Sequence, residues 1–218
     1  MKINAVRYVS EPPVTPFAPT WDFTLANAQI DIDLDKLKDL ILEKEVEIKE
    51  KFVSDLNDGK TGLGTDSLTA RFKYFNVLKW NSSECKKLHE SIREIHTKYY
   101  DTLVGGDIPP LKIRCWANVL RKGEFIDKHS HSHHPHTYLS GHFCVSATNT
   151  STNYIPPYTD WGDDIIVKNN PGELTLFPTW LPHYTTKTEV DEPRITIAFD
   201  IVPSEGCLHL DEDNLVEL

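Results

Sequence analysis

Apolar residues in the first half of the chain recur at helical spacing. The first such segment contains Leu37, Leu40, Ile41, Leu42 and Val46. Charged residues fill the positions between them, so that one face of a helix would be apolar and the opposite face polar. Asp33 precedes the segment and can cap its first turn. The pattern predicts an amphipathic helix that ends at about Phe52.

A second helix is predicted to begin near Ser82 or Ser83. Leu88, Ile92 and Ile95 follow at spacings of three and four residues. The helix should end before Gly105-Gly106, because glycine commonly terminates helices. The residues outside the two helices indicate other structure. Residues 1–30 are rich in proline and predict an extended arm with a short strand near residues 21–24, and residues 57–68 predict a loop.

Short β-type runs replace the helical pattern in the second half. They cover residues 112–120, 138–147, 164–168, 173–177 and 194–202, and turn-forming residues such as Asn169-Asn170-Pro171-Gly172 separate them. Several short strands at this spacing predict a β-sandwich or barrel-like fold. We expect a mainly β protein with flanking helices that pack on the outside of the β half.

Composition excludes several classes of function. The chain of 218 residues carries a formal net charge of −10 and its basic residues are scattered, which disfavours a nucleic acid substrate. The four cysteines lie far apart, as expected for free thiols in a reducing cytoplasm. The N-terminal residues lack the apolar core of a secretory signal, and no stretch approaches the length of a membrane span.

The most informative segment contains His129 and His131. Side chains two residues apart on an extended strand point to the same side, so both imidazoles could bind one metal ion, and Asp127 could share that face. His183 would supply a distant third ligand, which would leave open positions on the metal. A run of histidines can also form a solvated loop that binds metal adventitiously. For His133, His134 and His136 we favour this second interpretation. For His129 and His131 both interpretations stay open.

Arg194 is a candidate carboxylate anchor. On a strand, Arg194, Thr196 and Ala198 would share one face, opposite Ile195, Ile197 and Phe199. A guanidinium binds a carboxylate through two parallel hydrogen bonds, and the Thr196 hydroxyl could add a third. The alternative is a salt bridge at the rim with Asp191 or Glu192.

These segments together resemble a known family. The motifs are W-x-N at 116–118, G-x5-H-x-H, L-S-G, G-x-L-x-L-F-P-x-W-L-x-H and R-x-T-x-A-F. They are similar to those of 2-oxoglutarate/Fe(II) oxygenases found in tailed phages and marine bacteria. The likeness covers residues 110–202, with a looser echo at residues 67–78.

The resemblance implies a double-stranded β-helix, which is a jelly-roll or cupin-like barrel, with iron at its mouth. It implies His129 and His183 as iron ligands and Arg194 as the anchor of the distal carboxylate of 2-oxoglutarate, assisted by Thr196. By analogy, Asn118 could also contact the co-substrate.

Two departures from the wider superfamily bear on the site. The superfamily usually has H-x-D or H-x-E where this chain has His129-Ser130-His131. The third ligand therefore stays open among His131, Asp127 and water, and we favour His131. The loop that follows is also longer than expected, so the additional histidines would belong to an insertion.

The resulting expectation is a single domain over residues 1–218. It would comprise a helical N-terminal flank (1–110), a β-helix core (111–203) and an acidic C-terminal tail (204–218). The function would be that of a dioxygenase that uses Fe(II) and 2-oxoglutarate, with ascorbate in vitro, to hydroxylate a protein side chain or a small molecule. It would act in the cytoplasm, which is that of the host if the protein is encoded by a phage.

Two rival functions remain open. A three-histidine cupin dioxygenase without 2-oxoglutarate would share the barrel. The first cupin motif starts at Gly123, but Pro135 and His136 occupy the place of its usual glutamate. The second motif is half matched at His183, with Trp180 where a glycine is expected.

The other rival is a phage structural or binding protein that retains the barrel without catalysis. Arg194 separates the first rival from the favoured function, because a cupin of that kind needs no carboxylate anchor. Oxygen uptake with iron, measured with and without 2-oxoglutarate, would separate all three.

Overall fold

The structure is a computed structural model that describes residues 2–53, 58, 60–132, 136–157, 164–206 and 211–218. The two α-helices in this part of the chain are α1 (Leu34–Lys51) and α2 (Ser83–Leu103). The strands are β1 (Asn4–Val9), β2 (Asp22–Gln29), β3 (Leu111–Leu120), β4 (Leu139–Ser146), β5 (Ser151–Tyr154), β6 (Ile165–Lys168), β7 (Glu173–Pro178), β8 (His183–Thr185), β9 (Arg194–Pro203) and β10 (Val216–Glu217). Short 3₁₀ helices cover Thr69–Tyr74, Val77–Lys79, Ser204–Gly206 and Glu212–Asn214.

The strands form two antiparallel sheets. The larger has the order β1-β2-β7-β4-β9-β3-β10, and the smaller has the order β6-β5-β8. The non-sequential order arises because the chain crosses repeatedly between the sheets. This arrangement is a jelly roll, as the resemblance implied.

Both helices begin at the predicted caps. The Asp33 carboxylate accepts a hydrogen bond from the backbone N–H of Lys36 at 3.2 Å, and the Ser82 hydroxyl accepts one from Glu84 at 3.1 Å. Such caps satisfy backbone donors that the first helical turn leaves unpaired. Neither helix is long and apolar enough to span a membrane, a finding limited to the described part of the chain.

The helices cover one face of the large sheet. Leu37 and Ile41 of α1 and Leu88 and Ile92 of α2 are fully buried in the same apolar core as Ile197 of β9. Burying a side chain of this size contributes about 1.5–3 kcal/mol. The opposite face of the sheet is turned toward the small sheet and is polar along β3 and β9. The helices thus stabilise the outer face and leave the inner face available for chemistry.

Alternation along β9 places the predicted residues on the predicted faces. Arg194, Thr196 and Ala198 line the cavity between the sheets, whereas Ile195 and Ile197 lie in the apolar core. The face of β9 that the sequence predicted to carry Arg194 and Thr196 therefore lines the cavity.

The first 110 residues contribute more strand than the sequence indicated. The proline-rich arm supplies β1 and β2, and β2 pairs with β7 at the centre of the large sheet. β1 is exposed along most of its length, so its sequence carries no alternation that would reveal it. The C-terminal segment likewise adds β10, which pairs with β3 and forms one edge of the large sheet. The large sheet thus extends beyond residues 111–203.

Gly141, in the L-S-G motif, is required by close packing. A Cβ atom at this position would lie 2.3 Å from the Phe199 ring and 2.6 Å from the carbonyl oxygen of Thr175. Any larger residue would push β4 away from the neighbouring strands β7 and β9. Because β4 also carries Ser140 and His142 into the cavity, Gly141 fixes the position of both.

Candidate active site

A cavity of about 140 Å³ opens between the two sheets. The strands of the large sheet contribute Asn118, Arg194 and Asp200, and the small sheet contributes Thr152 and His183. The described residues that line it therefore include acidic, basic and imidazole side chains on one concave surface. A pocket with a few convergent polar groups is the usual form of a small-molecule site.

His129 and His183 lie opposite each other and exchange two backbone hydrogen bonds. The N–H of His129 donates to His183 O at 3.0 Å, and the N–H of His183 donates to His129 O at 2.9 Å. Their ring centroids are 4.4 Å apart. This reciprocal pairing fixes a residue from the β3–β4 connection against β8, so that the two imidazoles distant in sequence meet at the rim of the barrel.

Each of these two rings has one nitrogen tied to a backbone carbonyl. His129 Nδ1 lies 2.8 Å from Asp127 O, and His183 Nδ1 lies 3.0 Å from Leu181 O. A carbonyl only accepts, so Nδ1 must carry the proton in both residues. The lone pair of Nε2 is then free to bind a metal.

His131 completes the cluster. Potential ligand atoms of His129, His131 and His183 all lie within 4.8 Å of one another, and no other group of three or more possible ligands is found among the described residues. Nδ1 of His131 lies 2.5 Å from a carboxylate oxygen of Asp200. Three imidazoles at these separations can surround one transition-metal ion and leave coordination positions open.

Asp127, the alternative third ligand, is placed differently. Its carboxylate lies against Gly62, where an added Cβ would be 2.2 Å from Oδ2. The backbone of Asp127, and not its carboxylate, contacts His129. Asp127 is therefore not a member of the three-histidine cluster.

Of the additional histidines, His136 does not join the cluster. His136 is exposed, and it is not among the grouped ligands. His133 and His134 lie outside the described residues.

Burial keeps the imidazoles of His129 and His183 neutral. It lowers the pKa of His129 to about 4, and the neighbouring His131 adds to this effect. Burial also lowers the pKa of His183 well below its ordinary value. Neutral imidazole is the form that binds metal, so protons compete with a metal only in acid.

Arg194 lies at the closed end of the cavity and is 2 % exposed. With its amide oxygen turned toward the guanidinium, Asn169 accepts hydrogen bonds from Nε at 3.2 Å and Nη2 at 3.3 Å. Nη2 also lies 3.4 Å from the Thr152 hydroxyl, but Nη1 makes no hydrogen bond to any described residue. Burial lowers the pKa of Arg194 to about 10, which leaves the group a cation near neutral pH. Neither Asp191 nor Glu192 pairs with it: they contact Lys122 and Lys38 instead.

Thr196 and Asn118 face each other across β9 and β3 near this cation. Both are buried and line the cavity. The Asn118 side-chain oxygen accepts a hydrogen bond from the Thr69 hydroxyl at 2.8 Å, which orients its amide. The cation, the hydroxyl and the amide thus share one polar surface at the end of the cavity.

Asp200 and His142 line the cavity and were not identified from the sequence. Asp200 lies on the same face of β9 as Arg194, so the alternation of side chains along this strand could have identified it. His142 lines the cavity on β4, and burial lowers its pKa to about 3. The hydroxyl of Tyr154 is buried without a hydrogen-bond partner in the described part of the chain. The β5 strand that carries Tyr154 is too short to leave a clear sequence pattern.

The sequence matches one protein family. Residues 114–200 match the sequence profile described as "Putative 2OG-Fe(II) oxygenase". The matched segment runs from β3 to β9 and includes the three histidines and Arg194. No curated protein matches the sequence.

Solved structures share the fold. A prolyl-4-hydroxylase from Pseudomonas putida is 9 % identical with a TM-score of 0.54, over 82 % of this chain and 92 % of that one. The carbocyclase SnoK from nogalamycin biosynthesis is 12 % identical with a TM-score of 0.58, over 83 % and 79 %. A prolyl hydroxylase from Trichoplax adhaerens, in complex with a hypoxia inducible factor fragment, is 11 % identical with a TM-score of 0.53, over 82 % and 84 %. At these identities the likeness shows the jelly-roll fold alone.

Proposed function

We propose that this chain, a 2-oxoglutarate- and Fe(II)-dependent oxygenase by its family match, hydroxylates a carbon of a protein side chain or a small molecule. His129, His131 and His183 would hold the iron. Arg194 would bind the distal carboxylate of 2-oxoglutarate, with Thr196 and Asn118 beside it. The products would be the hydroxylated substrate, succinate and carbon dioxide.

Bound iron and co-substrate would supply the oxidising chemistry: one oxygen atom of O₂ would enter a C–H bond of the substrate, and the other would enter succinate as 2-oxoglutarate loses carbon dioxide. The protein binds, orients and excludes water. Three imidazole ligands would bring no formal negative charge to the metal, which favours a dianionic co-substrate.

The unpartnered Nη1 of Arg194 is the observation that carries the proposal. A buried cation without a neighbouring anion is costly, and protein interiors rarely retain one without a partner. A carboxylate could accept hydrogen bonds from Nη1 and displace no existing protein contact. The buried hydroxyl of Tyr154 is unpartnered as well. This end of the cavity therefore fits the carboxylate of 2-oxoglutarate.

An aromatic wall lines the same cavity on its other side. The Phe72 and Trp116 ring centroids are 5.7 Å apart, and the Arg114 guanidinium lies over both rings at 5.5 and 5.7 Å. Trp116 is also 5.5 Å from the His131 ring, so a substrate on this wall would be close to the metal. Apolar rings with one cation suit an aliphatic group next to a carbonyl. A peptide side chain, with prolyl hydroxylation as one case, would meet that description.

Succinate formation tests the proposal. The purified protein, supplied with Fe(II), 2-oxoglutarate, ascorbate and oxygen, should form succinate even without its substrate. Succinate should disappear in His129→Ala, His183→Ala and Arg194→Ala. Absence of turnover across a broad substrate panel, with iron properly bound, would contradict it.

The alternatives are weaker on specific grounds. A cupin dioxygenase without 2-oxoglutarate has no use for a buried, unpaired Arg194. A structural protein without catalysis would not need three imidazoles near Arg194, each held by a hydrogen bond.

We also propose a cytoplasmic location, because Cys85, Cys115 and Cys144 are buried free thiols. The link to phages and marine bacteria stays a prediction from the sequence motifs.

A further inference from the structure

Asp200 is the centre of a buried hydrogen-bond network beside the metal cluster. It is 2 % exposed and lies on β9, on the same face as Arg194 and Thr196. Its Oδ1 contacts His131 Nδ1 at 2.5 Å and accepts from the Ser140 hydroxyl at 2.6 Å. Its Oδ2 accepts two hydrogen bonds from Arg114, at 3.0 Å from Nε and 2.7 Å from Nη2.

This network has a structural cost that needs an explanation. Burying a carboxylate is costly unless its oxygens are paired, and apolar residues would often serve stability as well. Four hydrogen bonds pair the two oxygens of Asp200, and together they stabilise an ionised carboxylate at this position. A role toward the adjacent imidazole accounts for it.

The three imidazoles differ in what holds them. His129 and His183 are tethered to neutral backbone carbonyls, whereas His131 is tethered to a carboxylate. A carboxylate held by Arg114 and Ser140 offers His131 only acceptor oxygens. Nδ1 of His131 must then carry a hydrogen, and Nε2 is the nitrogen that can bind a metal through a lone pair. A carboxylate partner also makes the imidazole a stronger ligand than a carbonyl does.

We infer that Asp200 is a positioning residue that makes His131 the third metal ligand. The inference rests on the proposed function, in which His131 binds iron. Asp200 fixes the tautomer and the ring orientation of His131. Through the ring it also transmits part of the negative charge that H-x-D sequences place directly on the metal. A carboxylate from β9 therefore compensates for the missing carboxylate in His129-Ser130-His131.

Metal affinity measured with Co(II) alone tests the inference. Co(II) binds histidine sites and reports its coordination through its visible absorption spectrum. Asp200→Asn should weaken Co(II) binding about 10- to 100-fold, as loss of an orienting partner does in other metal sites. It should also change the spectrum. A protein whose Asp200→Asn variant is folded and binds Co(II) with unchanged affinity and spectrum would overturn the inference.

A double-mutant cycle shows whether Asp200 acts through His131. In a His131→Ala background, Asp200→Asn should cause no further loss of Co(II) affinity, because the group it supports is absent. An equal loss in both backgrounds would mean that Asp200 is merely structural. Glu45→Gln is the matched control: Glu45 is a buried carboxylate held by Arg121 at 3.0 and 2.8 Å, outside the cavity, and this variant should bind Co(II) normally.

Two further measurements keep the test decisive. If Asp200→Asn does not fold, Ser140→Ala removes one hydrogen bond to Oδ1 and leaves the carboxylate in place. It should weaken Co(II) binding by a smaller factor, and unchanged binding would count against the inference. The proposed function fails separately, if the wild-type protein binds no Fe(II) or forms no succinate. The inference alone fails if the wild type does both and the Asp200 and Ser140 variants bind metal as the wild type does.

Discussion

The two ends of the cavity are built on opposite electrostatic principles. At the rim, His129, His131 and His183 present nitrogen ligands, and each ring is held by an acceptor on its other nitrogen. At the closed end, Arg194 is a buried cation surrounded by amides and hydroxyls. One of its nitrogens has no hydrogen-bond partner in the described part of the chain.

This difference indicates what each end is built to bind. The rim offers nitrogen ligands to a positive ion, and the closed end offers hydrogen-bond donors to an anion. The second arginine of the cavity sharpens the contrast, because Arg114 is fully engaged with Asp200 and needs no external anion. A metal ion and a dicarboxylate bound together would complete both ends.

The largest expected effect is loss of the metal at the rim. His129→Ala or His183→Ala should abolish stoichiometric Fe(II) binding, because two remaining imidazoles bind a divalent ion weakly. The fold should persist, as judged by circular dichroism. Iron content after anaerobic loading and desalting measures the effect.

His142→Gln is the matched control for this experiment. His142 lines the same cavity but lies outside the three-histidine cluster, so its variant should keep iron. If the His129→Ala, His183→Ala double variant still binds iron normally, the metal site is elsewhere.

The closed end should lose its anion when Arg194 is changed. Arg194→Ala should weaken 2-oxoglutarate binding by about 2–5 kcal/mol, which is roughly 30-fold to several thousand-fold, while metal binding is retained. Arg194→Lys should also bind less tightly, because it keeps the charge but loses the planar fork. Calorimetric titration of the Co(II)-loaded protein measures both. Unchanged affinity in Arg194→Ala would favour the cupin alternative.

In the metal-free protein, acid should change the charge of the histidines in the cavity but not the charge of Arg194. Burial lowers the pKa of His129 to about 4 and that of His142 to about 3, against about 6.5 in the unfolded chain. The unfolded chain therefore takes up more protons below pH 6.5, and the free energy of unfolding should fall from there toward pH 4. The charge of Arg194, whose pKa is about 10, stays constant over this range.

Urea unfolding at a series of pH values measures this dependence. His96 offers a control outside the cavity, because burial lowers its pKa to about 4 as well. In His96→Gln the free energy of unfolding should therefore fall less between pH 6.5 and 4. A free energy of unfolding that does not change between pH 6.5 and 4 would show that the imidazoles are not held neutral.

The smallest expected effect concerns Thr196. Thr196→Val keeps the shape but removes one hydroxyl, so 2-oxoglutarate should bind more weakly by about 1 kcal/mol, roughly fivefold. Thr188→Val is the control, because the Thr188 hydroxyl is buried without a partner in the described residues and lies outside the cavity. Equal affinities for the Thr196 and Thr188 variants would remove Thr196 from the binding surface.

The sequence by itself determined the parts that depend on local periodicity. The stripes of α1 and α2, their caps at Asp33 and Ser82, and the alternation of β9 follow from nearest neighbours along the chain. Family motifs added His129, His183 and Arg194, and the spacing of the first histidine pair favoured His131 as the third ligand. These residues could be named before the fold was known, because their chemistry is specific and their spacing is regular.

Only the tertiary structure decided how those residues are completed. The pairing of His129 with His183 joins two segments far apart in sequence through backbone hydrogen bonds that no motif encodes. The tertiary structure also places the Asp127 carboxylate against Gly62 and Asp200 beside His131. Such contacts depend on the register between strands, and that register is set by the packing of the whole sheet.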